Sequence, residues 1–116
     1  MDYESALAAF YDILEEMKIT HDCSKGQWFS LPAMKIGSRV YAGLWENADL
    51  IVKLNGTAHA EALALAGARL FQPMGDRSPM REWVQIPPMH RAQWREYCLA
   101  AYAYVVGLEA ARRAKR

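Results

Sequence analysis

The residues best suited to recognition chemistry in this sequence lie between Lys53 and Trp83. Arg77, Met80, Arg81 and Trp83 bring two guanidinium groups, a thioether and an indole into one short segment, and Lys53 stands in a predicted strand before them. Side chains of these types dominate the binding energy of many protein contacts. They also suit phosphate contacts combined with base stacking. The sequence therefore predicts a partner-binding site at these five residues.

The thiols and imidazoles do not form a recognisable catalytic pattern. His21 and Cys23 share one polar loop, whereas His59, His90 and Cys98 are scattered. Nucleophilic catalysis needs a thiol beside a base and an orienting carboxylate, and a loop fixes such geometry poorly. The sequence has no glycine-rich phosphate loop and no H-E-x-x-H motif. We therefore expect no catalytic residues, and an enzyme using Cys23 or Cys98 is the least favoured hypothesis.

The same residues give little reason to expect a metal or a cofactor. His21 and Cys23 could begin a metal site, but no second pair follows at the spacing of a zinc site. The two cysteines, Cys23 and Cys98, show no disulfide spacing. We interpret them as buried, reduced thiols. No cofactor and no metal are expected.

Composition favours one globular domain. The 116 residues are 53% hydrophobic and 23% charged, which excludes a disordered chain and gives a core large enough to need no disulfide or metal. The expected domain spans residues 1–116, with a core at about 6–106 and a basic tail at 112–116. No signal peptide and no apolar run of roughly 18 residues are visible. The predicted location is the cytoplasm, away from membranes.

Periodicity and turn residues predict strands in the middle of the chain. They are expected at 38–45, 49–54, 70–72 and 80–86, and a short alanine-rich helix at 58–66. Asn55 or Thr57 could cap that helix, and Gly67 suits the left-handed residue that closes it. A short extended segment at 27–31 should end at Pro32, before the alternating residues 33–36. Residues 73–79 must be a loop because of their prolines and glycine.

Two amphipathic helices should cover this sheet, from Asp2 to about Lys18 and from about His90 to Arg112. In the strands, alternation places Val40 with Ala42 and Leu44 on one face, and Lys53 on the solvated outer face. Trp83 would then lie beside Arg81 on the outer face. The favoured interpretation is instead that Trp83 packs under the last helix. The alternative for Lys53 is a positive group displayed on the sheet.

Several segments resemble the TfoX N-terminal (Sxy-like) domain family and, more distantly, the MmcQ/YjbR family. They are Met34-Lys-Ile-Gly37, Val40-Tyr-Ala-Gly-Leu44, Asp49-Leu-Ile-Val-Lys-Leu54, Gly67-Ala-Arg-x-Phe71 and Pro79-Met-Arg-Glu-Trp-Val84. The resemblance covers about residues 6–106 and rests on order and spacing. It implies an α+β fold in the order α–β3–α–β2–α, with an antiparallel sheet packed against terminal helices. Signature positions Lys53, Pro79, Met80 and Trp83 match the family, and the resemblance assigns no catalytic residue.

Family members include bacterial competence regulators, in which a helical domain follows this one. We expect a single domain here, so that role is not carried over. The leading hypothesis is a small non-enzymatic binding or regulatory module, with a protein partner or a second copy of itself. The alternative is nucleic-acid binding through the basic last third, although the net charge of +1 gives this little support.

Overall fold

The structure is a computed structural model that describes residues 2–75 and 78–115. Helices and strands follow one another as α1 (Tyr3–Thr20), β1 (Ser24–Trp28), β2 (Leu31–Ile36), β3 (Arg39–Leu44), β4 (Leu50–Lys53), α2 (Gly56–Leu63), β5 (Arg69–Phe71), β6 (Met80–Ile86), a single 3₁₀ turn (Pro88–His90) and α3 (Arg91–Ala114). This order confirms the predicted α+β class. None of the described helices is long and apolar enough to cross a membrane.

The strands form one antiparallel sheet in the order β1-β2-β3-β4-β6-β5. Four strands precede α2, one more than the family resemblance implies. The segment predicted as a single extended stretch turns at Phe29 and Ser30, so it contributes to both β1 and β2. Pro32 does not end a strand, because it lies inside β2 next to this turn, opposite Gln27.

The terminal helices pack on one face of the sheet and form the main core with it. Asp2 caps α1, since its Oδ1 accepts a hydrogen bond from the Ser5 backbone N–H at 2.8 Å. The buried residues lie on one face of each helix, as expected of the two amphipathic helices predicted from the sequence. The buried residues are Ala6, Phe10, Ile13, Leu14 and Met17 in α1, and Trp94, Tyr97, Cys98, Ala101 and Val105 in α3.

The middle helix is shorter than predicted. α2 ends at Leu63, although the alanine-rich pattern continues to Ala66. Asn55 is the N-cap residue, but its side chain makes no capping hydrogen bond. Gly67 does take the left-handed conformation expected of it, with φ at +79°. The left-handed turn therefore follows the helix at a distance of a few residues.

A bulge in β3 changes which residues face the helices. Met34 pairs with Ala42 and Lys35 pairs with Val40, so Tyr41 is an extra residue in the ladder. Tyr41 and Ala42 both lie in the main core, whereas Val40 packs on the opposite face. The prediction that Val40 shares the core face was wrong, because strict alternation does not survive a bulge.

Candidate functional site

Five aromatic side chains meet on the sheet face opposite the helices. We call them the aromatic cluster, and the sheet face that carries them the open face. The members are Trp28, Phe29, Trp45, Phe71 and Trp83. Phe71 and Trp83 are buried, Trp28 and Trp45 are half-buried, and Phe29 is 45% exposed. No described helical residue belongs to this cluster, so the outer rings face solvent.

The cluster joins strands from opposite sides of the sheet. The ring centroids of Trp28 and Trp83 lie 4.3 Å apart, and those of Phe29 and Phe71 lie 6.0 Å apart. β1 and β6 are separated by three strands, which is about 19 Å across a flat sheet. The sheet must therefore curl, with the aromatic cluster on its concave side.

A glycine lets the Trp28 ring lie close to the sheet. A Cβ added to Gly43 would stand 3.8 Å from the Trp28 ring and 3.5 Å from the Pro32 carbonyl oxygen. Gly43 is in β3, two strands away from β1. The indole thus extends over β3, where a side chain larger than alanine would collide with it.

The turn that carries Phe29 is strained. Phe29 and Ser30 both have positive φ, at 54° and 62°, as a two-residue type I′ hairpin requires. Such turns favour asparagine and glycine, because the left-handed conformation costs other residues about 1–2 kcal/mol. Strained residues of this kind concentrate at binding and catalytic sites. Here the strain holds a phenylalanine at the exposed end of the aromatic cluster.

The structure corrects the favoured interpretation of Trp83. Trp83 is 8% exposed, but it packs against Trp28, Ile51 and Phe71 on the open face and not under α3. The physical reason is that Val84 and Ile86 already occupy the helix side of β6. Alternation then directs Trp83 to the other face, where other aromatic residues cover it.

The remaining predicted site residues lie near Trp83 but differ in their surroundings. Met80 is half-buried against the aromatic cluster. Lys53 is directly opposite Trp83 in the ladder, and its Nζ is 3.8 Å from the Glu82 carboxylate. Lys53 is therefore a paired charge and not a free cation on the sheet.

Arg81 has an exposed side chain, and its backbone carbonyl accepts a hydrogen bond from His59 Nε2 at 2.8 Å. This bond ties α2 to β6. Arg77, the fifth predicted site residue, lies outside the described residues. Of the five predicted residues, the structure thus groups Lys53, Met80, Arg81 and Trp83 around one end of β6.

Sequence reasoning missed most of the aromatic cluster. Trp28, Phe29, Trp45 and Phe71 were assigned to strands or strand ends without a role. One signal was available, because Trp45 follows Leu44 and must point to the opposite face. The grouping itself depends on the curl of the sheet, which no local pattern reveals.

A shallow groove lies beside the cluster at the β5 edge. Its volume is about 320 Å³. It is lined by Trp45, Glu46, Arg69, Leu70, Phe71, Gln72, Pro73, Gly75 and Gln85. Aromatic rings and one exposed arginine therefore line the same recess.

The cysteines and histidines do not assemble into a catalytic group among the described residues. Cys98 is fully buried, and burial raises the pKa of its thiol to about 12, so the thiolate is scarce at neutral pH. His21 Nδ1 lies 2.8 Å from the Thr20 hydroxyl, and its ring stacks edge-on against Tyr102. No group of three or more potential ligands for a metal ion occurs in the described part of the chain.

The basic residues of the last third do not share one surface. Arg95 pairs with Glu16 of α1 at 2.6 Å, close to the beginning of α3. Arg112 pairs with Glu109, which also holds Arg39 at 2.7 Å. Arg39 and Arg112 thus share the Glu109 carboxylate. Since α3 rises about 1.5 Å per residue, its two ends are far apart.

No family model, no curated protein and no solved structure matches this chain. Membership of the TfoX N-terminal domain family therefore stays a prediction from the sequence. The function has to be argued from the open face itself.

Proposed function

We propose that this protein is a non-enzymatic binding module that holds its partner on the open face of the sheet. The observation that carries the proposal is the aromatic cluster. Its outer rings, those of Phe29, Trp28 and Trp45, are partly exposed on a face that no described helix covers. A contiguous exposed apolar patch on a protein surface is typical of an interaction site.

The cluster is already organised for binding. Its inner rings, Phe71 and Trp83, are buried, and the outer rings are packed against them. Side chains that are immobile before binding lose little conformational entropy when a partner arrives. The strained turn at Phe29 fits the same interpretation, since it holds an apolar ring towards solvent at a cost in stability.

The composition of the open face suits a protein partner, including a second copy of this chain. Tryptophan, phenylalanine, methionine and arginine are enriched in the centres of protein interfaces. All four types occur here, with Met80 and Arg69 beside the cluster. Nucleic acid is the second candidate, because cations accompany the rings on the same face.

A regulatory role in the cytoplasm, in a domain of the TfoX N-terminal type, is part of this proposal. The α+β class and the helix–sheet–helix order agree with the fold of that family. An enzyme is less favoured because the one fully buried thiol, Cys98, has a raised pKa, and a nucleophilic thiol needs a lowered one.

Capture experiments with matched variants test the proposal. Phe29→Ala removes the most exposed ring of the cluster, and Ile19→Ala removes an 81% exposed side chain near the end of α1. The wild type should crosslink to a partner, either protein or nucleic acid. We expect Phe29→Ala to capture much less of that partner and Ile19→Ala to capture the same amount. Circular dichroism verifies that both variants fold. Equal capture by both variants would contradict the proposed site.

A further inference from the structure

We propose that the partner on the open face is a single-stranded nucleic acid, whose bases stack on the outer rings of the aromatic cluster and whose phosphates contact Lys35, Arg69 and Arg81. This inference rests on the proposed function, since it uses the same face. It differs from binding through the basic end of the chain, because Lys35 lies in β2 and the cations of α3 take no part.

The outer rings offer the stacking surface. Phe29 and Trp45 meet edge to face, with centroids 5.7 Å apart and planes at 89°. Each ring therefore keeps surface that its neighbour does not cover, in agreement with the exposure of Phe29. Bases of any sequence can stack on such rings, and each base stack contributes substantially to affinity.

Lys35 belongs to the same face as the rings. It pairs with Val40, which packs against the aromatic cluster. Its side chain also lies against Gly26, where an added Cβ would stand 2.9 Å from Lys35 Cδ. Gly26 precedes Trp28 by two residues in β1, so both face the same way. The aliphatic part of Lys35 thus crosses the strand towards the edge of the open face.

Arg69 and Arg81 supply two further cations on the opposite side of the cluster. Arg69 is exposed and lines the groove with Trp45 and Phe71. Arg81 is exposed and follows Met80, which packs against the aromatic cluster, so its cation lies beside the open face. Among the described residues, neither arginine nor Lys35 has an ion-pair partner. Their charges are therefore available to phosphates.

The described acidic groups on this face or next to it are largely occupied. Asp49 is buried, and its Oδ2 accepts hydrogen bonds from Gln85 at 2.8 Å and from Asn47 at 3.1 Å. Glu82 pairs with Lys53 and accepts a hydrogen bond from the Tyr104 hydroxyl of α3. Among the described residues, Glu46 is the acidic residue that stays exposed near the groove. The charges that the described residues leave available on this face are thus mainly positive.

The shape of the face favours a single strand over a duplex. In a duplex the base faces are stacked on one another and cannot reach protein rings, and the phosphates form a convex outer surface. The aromatic cluster lies on the concave side of a curled sheet. No described helix stands on this face to enter a major groove. A single strand with unstacked bases can stack its bases on the rings and place its phosphates at the cations.

Fluorescence anisotropy tests the proposal with labelled oligo(dT) and oligo(U) of about 12 nucleotides and with a duplex of equal length. Three phosphate contacts predict a slope of about −2 in log affinity against log salt. Affinity for the single strands should therefore fall roughly 20-fold between about 50 and 200 mM salt. The duplex should bind more weakly at both salt concentrations. A comparison of the affinities for oligo(dT) and oligo(U) shows whether the protein prefers single-stranded DNA or RNA.

Matched variants assign the binding to the open face. The triple variant Lys35→Ala, Arg69→Ala, Arg81→Ala should lose affinity and most of its salt dependence. The control Arg112→Ala, Arg113→Ala, Lys115→Ala removes the same charge from the end of α3 and should bind as the wild type does. Phe29→Ala should weaken binding roughly 5- to 100-fold, and Ile19→Ala should not weaken it.

Three outcomes would overturn the inference: no single-strand binding at low salt, stronger binding of the duplex, or loss of binding in the α3 control alone. Failure of the inference can be distinguished from failure of the proposed function. If oligonucleotides do not bind but Phe29→Ala still loses a crosslinked protein, the open face is a protein-binding site. If Phe29→Ala changes neither oligonucleotide binding nor crosslinking, both proposals fail.

Discussion

The Gln85 side-chain amide donates a hydrogen bond to the Asp49 carboxylate at 2.8 Å, and the two residues are only 3% and 8% exposed. Among the described residues, no cation pairs with this carboxylate. Asp49 also fixes the turn before β4, because its carbonyl accepts a hydrogen bond from the Trp45 N–H at 2.8 Å. A buried polar pair therefore connects β6 to the turn that positions one ring of the aromatic cluster.

Replacing Gln85 by leucine should destabilise the protein by about 2 kcal/mol, because a buried carboxylate then loses a hydrogen-bond donor. Urea denaturation measures the loss. The control Asn47→Ala removes the second donor to the same oxygen and also the acceptor of the Asp49 backbone N–H. Asn47 is exposed, so water can replace both hydrogen bonds. If Asn47→Ala lowers the free energy of unfolding as much as Gln85→Leu does, burial of the Gln85–Asp49 hydrogen bond does not add to its contribution to stability.

Side-chain size at Gly43 should decide whether the Trp28 ring keeps its position. Gly43→Ala should be tolerated, because its Cβ would stand at ordinary contact distances, 3.5 Å and 3.8 Å, from its neighbours. Gly43→Val adds two methyl groups at the Trp28 ring and should cost about 1–3 kcal/mol, although valine suits strands. Near-ultraviolet circular dichroism and thermal denaturation report both effects. Equal behaviour of the two variants would show that the ring does not lie over Gly43.

Relief of strain in the β1–β2 turn should stabilise the protein. Ser30 has φ at 62°, a conformation that glycine adopts without steric cost. Ser30→Gly should therefore raise the free energy of unfolding by up to about 1 kcal/mol.

The opposite substitution in the next turn is the control for Ser30→Gly. Gly37 has φ at 57° with no atom near its missing Cβ. Gly37→Ala should therefore lower stability through backbone strain alone, by about 1 kcal/mol. A decrease for Ser30→Gly would mean that the turn is not left-handed at that residue.

Stability should fall at alkaline pH partly because of Cys98. Burial raises the pKa of its thiol from 9.0 to about 12. Above pH 9.0 the unfolded chain loses this proton while the folded protein keeps it. The contribution is thus complete below that pH and is lost as pH rises towards 12, by up to about 1.4 kcal/mol per pH unit.

Comparison of the wild type with Cys98→Ala isolates this effect from the tyrosines, some of which also have raised pKa values. Burial raises the pKa of Tyr41, for example. The stability difference between the two proteins should narrow from pH 7 to pH 10. Urea denaturation at each pH measures both stabilities. If the wild type and Cys98→Ala lose stability in parallel as pH rises, Cys98 is not a buried, protonated thiol.

The sequence alone determined the elements whose signals are local. α1 and α3 have apolar stripes at helical spacing, and their buried residues agree with those stripes. β6 begins and ends where alternation and the flanking prolines predict, at Met80 and Ile86. These signals are reliable because a helix or strand with one apolar face must bury that face.

Local signals failed where the backbone departs from regular geometry. The Phe29–Ser30 turn contains neither glycine nor asparagine, so its residues do not indicate a turn. The bulge at Tyr41 reversed the expected orientation of Val40, because one extra residue shifts the alternation. Both departures serve the packing of the open face, whose stabilising contacts outweigh the local strain.

The tertiary structure alone decided the candidate site. The sequence predicted a site near Trp83 from residue types, and in the structure Met80 and Arg81 lie near that residue. It could not bring Trp28 and Phe29 to Trp83 and Phe71, because those contacts join strands at opposite sides of a curled sheet. Curl arises from the twist and packing of all six strands together, and no short stretch of sequence contains that information.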